Sequence, residues 1–281
     1  MVMARSLIAA VAIACMTATG ALAAGGEIDI KRNKWSFGGI FGHYDKAQLQ
    51  RGFQVYREVC AACHELNRIA FRNLVQPGGP EFPRDAVQAL AKEYEVDGLP
   101  NDDGEPTKRP AKLSDAFPPL YDNEKAARAT HNGALPPDLS VMAKARGVPY
   151  VGPWYLHPWA MLKDILAGYQ EGGADYLVAL LTGYADPPKG VELSDGMSYN
   201  KYYPGHQIAM ANPLSDGQVE YQDGTAPTLK NYAVDVAAFL SWASDPTLNQ
   251  RKQTGWIVLI YLLIMSVLLY IAKRRVWASK H

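Results

Sequence analysis

The apolar positions Leu49, Phe53, Tyr56 and Cys60 recur at spacings of four, three and four, which is the period of a helix with one inward face. Asp45, followed three residues later by Gln48, supplies a start signal resembling a capping box, so a helix is expected from Lys46 up to the cysteines. Gly52 falls inside it and costs helix propensity, which reads best as a position of close packing. Val87, Leu90, Ala91 and Tyr94 share one side of a second helix over 85–94. Shorter helices are expected at 123–130, 141–146, 161–169 and 174–183. The last helix before the C-terminal region spans 229–244, with Tyr232, Val236, Phe239 and Leu240 on one face and Asp245-Pro246 closing it. Pro77-Gly78-Gly79-Pro80 makes 71–84 a loop, the acidic run 93–105 reads as a solvated loop, 110–119 is irregular, and 186–204 is loop again. Residues 132–139, with Gly133 and Pro136-Pro137, form an ordered non-helical segment able to lie against a flat ligand, and 148–160 is rich in aromatic residues and proline. The expected architecture is all-α with long loops.

The two ends depart from this pattern. Gly255 to Ala272 is an 18-residue stretch without a charge; at 1.5 Å per residue it reaches about 27 Å, close to the hydrocarbon thickness of a bilayer. Trp256 and Tyr270 sit near its ends, and Lys273-Arg274-Arg275 follow, which places the tail on the cytoplasmic side. At the N-terminus, Arg5, the apolar run from Leu7 to Cys15 and the small residues ending at Ala21-Leu22-Ala23 have the layout of a secretory signal. Cys15 lacks the preceding leucine of a lipoprotein site. The expected organisation is a signal over 1–24, an exported domain over 25–250, a transmembrane anchor over 251–272 and a basic tail over 273–281.

The formal net charge of zero conceals an asymmetry. With Arg5 and the six basic residues from Arg251 onward set aside, 21 Lys and Arg stand against all 28 Asp and Glu between Gly25 and Gln250, a net of −7. Such a domain is a poor nucleic-acid binder and a docking surface suited to a basic protein, unless the charge serves only solubility.

Candidate chemistry centres on Cys60-Ala61-Ala62-Cys63-His64. Two cysteines spaced by two residues and followed at once by histidine read as a c-type haem attachment site, with two thioethers and His64 on the iron. A thioredoxin-like redox pair or half of a zinc site would leave the histidine unexplained. Cleavage of the signal removes Cys15, the one other cysteine, so core and cofactor must hold the exported domain without a disulfide. A closed coordination sphere suited to electron transfer needs a second axial ligand. The methionines outside signal and anchor are Met142, Met161, Met197 and Met210; the first two sit on helix candidates, where core packing is the expected role, and spacing does not choose between Met197 and Met210. His43, His131, His157 and His206 keep a bis-histidine site open.

Several motifs together carry a resemblance. Arg51-Gly52-Phe53-Gln54-Val55-Tyr56, the run through His64, Asn132-Gly133-Ala134-Leu135-Pro136-Pro137-Asp138-Leu139-Ser140, Leu181-Thr182-Gly183-Tyr184, Tyr203-Pro204-Gly205-His206-Gln207-Ile208-Ala209-Met210 and the C-terminal anchor closely resemble the cytochrome c1 family. That family supplies the haem-bearing subunit of the cytochrome bc1 complex. The resemblance implies one covalent haem c, Met210 as sixth ligand ahead of Met197, Arg146 near a haem propionate, with a plain surface charge as the alternative, and Asn132 to Pro137 lining the haem edge. It further implies cytochrome b, membrane lipid, a Rieske iron-sulfur protein as electron donor and a soluble or tethered c-type cytochrome as acceptor, with the chain single-pass in a bacterial inner membrane and its haem domain in the periplasm. No bond is made or broken by such a chain itself. A stand-alone anchored cytochrome or an oxidase haem subunit is the alternative of like chemistry, and an open-iron enzyme or gas sensor the alternative of another class. Two departures stand out: 148–173 is longer than in mitochondrial relatives, and some bacterial relatives carry a disulfide this chain cannot form.

Overall fold

The computed structural model describes residues 30–148, 150 and 152–278, so the expected signal over 1–24 lies outside the described residues. The helices, numbered here in chain order, are α1 (Lys46–Glu58), α2 (Arg84–Lys92), α3 (Glu124–Thr130), α4 (Met142–Ala145), α5 (His157–Ala167), α6 (Gly172–Thr182), α7 (Leu229–Ser244) and α8 (Leu248–Trp277). Short 3-10 turns occupy Cys60–Ala62, Phe71–Val75, Leu139–Val141 and Trp154–Leu156. The acidic run expected as loop is partly a hairpin, in which β1 (Glu95–Asp97) pairs antiparallel with β2 (Lys108–Pro110). A second antiparallel pair joins β3 (Ser198–Tyr199) to β4 (Gln207–Ile208). Strands this short leave the fold a helical one, as expected.

Helix α7 is the centre. The Thr228 hydroxyl caps it by accepting from Asn231 N at 3.3 Å. Sequence periodicity gives it one apolar face, but Tyr232, Ala233, Val236, Ala237, Ala238, Phe239, Leu240 and Trp242 are all buried, because its alanines let other elements close in on nearly every side. Helices α1, α4 and α6 pack against it.

Helix α1 begins where expected, with Asp45 accepting from Gln48 N at 2.7 Å, and buries Leu49, Phe53 and Tyr56. Phe53 lies 5.5 Å from Phe239 and 5.4 Å from Phe82, ring centre to ring centre, which ties the loop 71–84 to the helix pair. Gly52 is where α1 meets α7: a Cβ there would overlap the Asp235 carbonyl oxygen and stand 2.7 Å from Phe239 Cβ. Beside it, Arg51 Nε donates to Asp235 Oδ2 at 2.8 Å and Arg51 Nη1 to Asp223 Oδ2 at 2.8 Å.

The first turns of α8 are fastened to the domain. Lys252 Nζ donates to the carbonyls of Phe37, Gly39 and Gly42 at 2.7, 2.5 and 3.1 Å. Asn249 accepts from Tyr44 N at 3.1 Å and donates to Gly78 O at 3.2 Å. Arg251 meets Asp245 at 2.6 Å, and Phe41 stacks on Trp256 with centroids 4.9 Å apart. Beyond this collar α8 is exposed and apolar, and among the described residues it is the one helix long and apolar enough to cross a membrane. It starts three residues before the expected anchor and continues past it to Trp277.

Gly52→Ala tests the helix crossing. In an exposed helix this change gains roughly 0.5–1 kcal/mol, but here overpacking against backbone should reverse the sign and cost about 1–3 kcal/mol. The check is the denaturant midpoint of the haem-loaded domain, which should fall.

Candidate functional site

The cysteine motif lies where α1 ends. Val59 leaves helical geometry, Cys60–Ala62 tighten into a 3-10 turn, and His64 N donates to Cys60 O at 2.9 Å. This compact turn carries both thiols and the imidazole together. Cys60 packs on the rim of the main core, Cys63 is exposed, and the two are free thiols with no disulfide between them. Burial pushes the Cys60 thiol up to about 12, opposite to the lowered value of a redox-active cysteine. Among the described residues no three His, Cys, Asp or Glu side chains converge as metal ligands, so a tetrahedral zinc site lacks its remaining partners.

His64 is oriented by one backbone group. Its Nδ1 lies 2.9 Å from the Pro137 carbonyl oxygen, which acts as acceptor for the Nδ1 proton and leaves Nε2 as the ring nitrogen with a free lone pair. A ligand histidine is commonly set this way, its second nitrogen spent on a carbonyl. Burial lowers the His64 pKa, and the Pro137 bond opposes that shift.

Glu65 holds the surroundings, a role sequence reading missed. Its Oε1 accepts from Leu120 N at 3.0 Å, its Oε2 accepts from Asn67 Nδ2 at 2.5 Å, and its carbonyl accepts from Leu139 N at 2.9 Å. Arg68 N donates to Ser140 Oγ at 3.0 Å, and Ser140 is fully buried. Segment 134–138 is thereby drawn along the motif in extended, proline-stiffened form, ahead of the 3-10 turn Leu139–Val141. The residue before it, Gly133, and Asn132 itself both have positive φ, +84° and +50°, which turns the chain out of α3. Tyr121 and His131 share a 2.6 Å hydrogen bond near Cys63, and desolvation with the nearby Cys63 and Glu65 pushes the Tyr121 phenol up.

The structure sorts the other candidates. Met210 is half-buried against the same core as Cys60, and its carbonyl accepts from Tyr184 OH at 3.0 Å. Met142 also packs on that core. Met161 does not, contrary to the core role expected of it: α5 stands off the domain and leaves it 53% exposed. Met197 is exposed as well, immediately before β3. Among the histidines, His131 is engaged by Tyr121, His206 Nδ1 lies 3.2 Å from Asn200 O, and His157 sits 4.7 Å from the Tyr150 ring on α5. His43 is exposed. Asn132 is exposed with its amide beside Gly196. Arg146 caps the end of α4 and, with Tyr150 and Asp164, lines an open cleft of about 750 Å³ behind α5. Pro137 is thus brought into direct contact with the motif, whereas Arg146 is not.

Two thiols and an oriented imidazole on one turn, braced by an extended proline segment, fit a covalently attached haem and define a c-type cytochrome domain. The comparisons agree. Residues 35–280 match the model of the cytochrome C1 family. The cytochrome c1 of Blastochloris viridis is 51% identical over 244 residues, covering 86% of this chain and 84% of that protein. The cytochrome b/c1 of Bradyrhizobium diazoefficiens is 45% identical over 98% of this chain, which spans 40% of that longer protein's length. The cytochrome b-c1 complex catalytic subunit of Candida albicans mitochondria is 44% identical over 93% of this chain and 82% of its own. The chain belongs to the cytochrome c1 family: it is an electron-transport protein of the cytochrome bc1 complex with one covalent haem c and, among the described residues, one apolar helix long enough to cross a membrane.

Glu65→Ala should leave Leu120 N and the Asn67 amide without their acceptor. The loss of such partners costs about 1–3 kcal/mol. A lower denaturant midpoint of the haem-loaded chain, with covalent haem content retained, is the expected result.

Proposed function

We propose that this chain takes one electron at a time from a Rieske iron-sulfur protein and delivers it to a soluble or tethered c-type cytochrome, seated beside cytochrome b. The observation that carries this reading is the imidazole of His64 fixed by Pro137 O within a CxxCH turn, on a domain fastened directly to a membrane helix. When bound, the haem supplies reversible one-electron chemistry. The chain's residues do the rest. Cys60 and Cys63 would hold the group, and His64, through Nε2, and Met210, whose carbonyl is held by Tyr184, would ligate its iron. Asn132 to Pro137 would line the haem edge, and Arg146 would serve a propionate, where a guanidinium favours the charged carboxylate. Residues 1–24 act as the export signal, 25–250 form the periplasmic domain, 251–272 span the inner membrane of a bacterium and 273–281 stay in the cytoplasm.

Part of the acidic run is already neutralised. Glu93 pairs with Arg57 at 2.7 Å and Asp97 with Lys108 at 2.6 Å. Glu95 on β1 and Asp102, Asp103 and Glu105 at the hairpin tip have no ion-pair partner among the described residues, so they are the carboxylates of this run left to steer a basic acceptor.

Purification in mild detergent tests the assembly: co-elution with a b-type cytochrome and a Rieske protein is expected, and a free monomer would sink the reading in favour of a stand-alone cytochrome. Met210→Leu tests the ligand. Loss of a thioether should lower the reduction potential and let carbon monoxide bind the reduced protein; an unchanged potential would move the sixth ligand elsewhere.

A further inference from the structure

Helix α5 and the turn before it bury none of their residues. Trp154 is 84% exposed, Trp159 69%, Ile165 71% and Leu166 73%, with Leu162 and Tyr155 exposed beside them. The helix leans on the domain through Ala160 and Asp164, four residues apart and both half-buried, and presents bulky apolar side chains on its other sides. A contiguous patch of this kind on a water-facing surface marks an interaction site. Its charge is as unusual as its apolarity. Between 148 and 170 the charged residues are Lys163 and Asp164, and Asp164 is turned onto Arg32 at 2.9 Å. In a domain of net charge −7, this face offers no unpaired carboxylate.

The position of α5 says what covers it. Gly168 ends the helix with φ +65°, and a Cβ there would stand 3.3 Å from Ile40 Cγ1 and 3.4 Å from Gly39 Cα. Gly39 is held by Lys252. Ile40 and Phe41 are exposed, and Phe41 stacks on Trp256 where the apolar part of α8 begins. The end of α5 therefore abuts the collar at which the membrane helix leaves the domain. Tryptophan at such a level is an interfacial residue, and a helix with aromatic and aliphatic residues outward and few charges is suited to lie in the headgroup layer.

We propose that α5 and the Trp154–Leu156 turn form an interfacial helix, seated on the lipid of the same bilayer that α8 crosses, so that the domain stands on two feet. This rests on the reading of α8 as a membrane span. Lipid is favoured over a protein partner because the patch is continuous with the collar of α8.

The test uses the whole complex in phospholipid nanodiscs, with single cysteines introduced as Leu166→Cys or Trp159→Cys and nitroxide-labelled, and the spectrum of the unsubstituted labelled complex subtracted. Leu263→Cys on α8 and Leu99→Cys on the β1–β2 hairpin are the reference sites, both exposed. Labels at 166 and 159 should be relaxed more by oxygen than by a water-soluble nickel chelate, with a ratio nearer that of 263 than that of 99. Relaxation by nickel equal to that at 99 would overturn the proposal, because the face then meets water. Exclusion of both reagents would overturn it too, because the face is then covered by protein. If the label at 263 is relaxed by nickel as strongly as that at 99, the membrane reading of α8 fails, which is a separate result.

Discussion

The approach of α1 to α7 at Gly52 is the contact on which the rest of the domain depends. It brings two backbones close enough that Phe53 and Tyr56 interlock with Phe239, and it sets where α1 ends and so where the thiols stand. Arg51 fixes the register of that crossing. Its Nε and Nη2 donate to both oxygens of Asp235, at 2.8 and 3.3 Å, and Asp235 is only 5% exposed at its side chain. A buried ion pair of this kind adds little net stability over an apolar pair, but leaving either partner alone is costly. A one-turn slip between the helices would strand the carboxylate, so the pair selects one alignment.

A second buried carboxylate organises the opposite side. Asp175, fully buried on α6, accepts from Asn33 N, Asn33 Nδ2, Trp35 Nε1 and Tyr169 OH at 2.7–3.0 Å. With four donors it is satisfied, and buried polar networks of this quality rigidify rather than weaken. It secures the lead-in 31–44, and that lead-in in turn supplies the carbonyls that hold Lys252. The domain needs no disulfide because charged and polar joints between distant segments do the cross-linking.

Much of this was readable in the sequence where the signal is local. Asp45 and Gln48 placed the start of α1, Asp245-Pro246 the end of α7, and CxxCH a compact turn that gathers two thiols and an imidazole, since caps and short motifs act within a few residues. Gly52 announced itself as a glycine that helix propensity does not favour. What was not readable acts across long separations. His64 and Pro137 are 73 residues apart, and Lys252 and Phe37 are 215 apart; no periodicity encodes such pairs. The burial of α7 on nearly every side escaped because alanine counts weakly as apolar in a pattern yet permits close packing. The pairing of β1 with β2 was masked by acidic residues that look like solvated loop, and α5 was misjudged because its apolar residues imply burial in a core that this helix never enters.

The joint between α7 and α8 has a mechanical meaning. Asp245, Pro246 and Thr247 alone separate the two helices, and Asp245 is gripped by Arg251 from one side and by Lys144, at 3.1 Å, from the other. With Lys252 and Asn249 locked to the lead-in as well, the domain is not a float on a flexible line. It is a fixed bracket, whose CxxCH turn keeps one bearing relative to the axis of the long apolar helix.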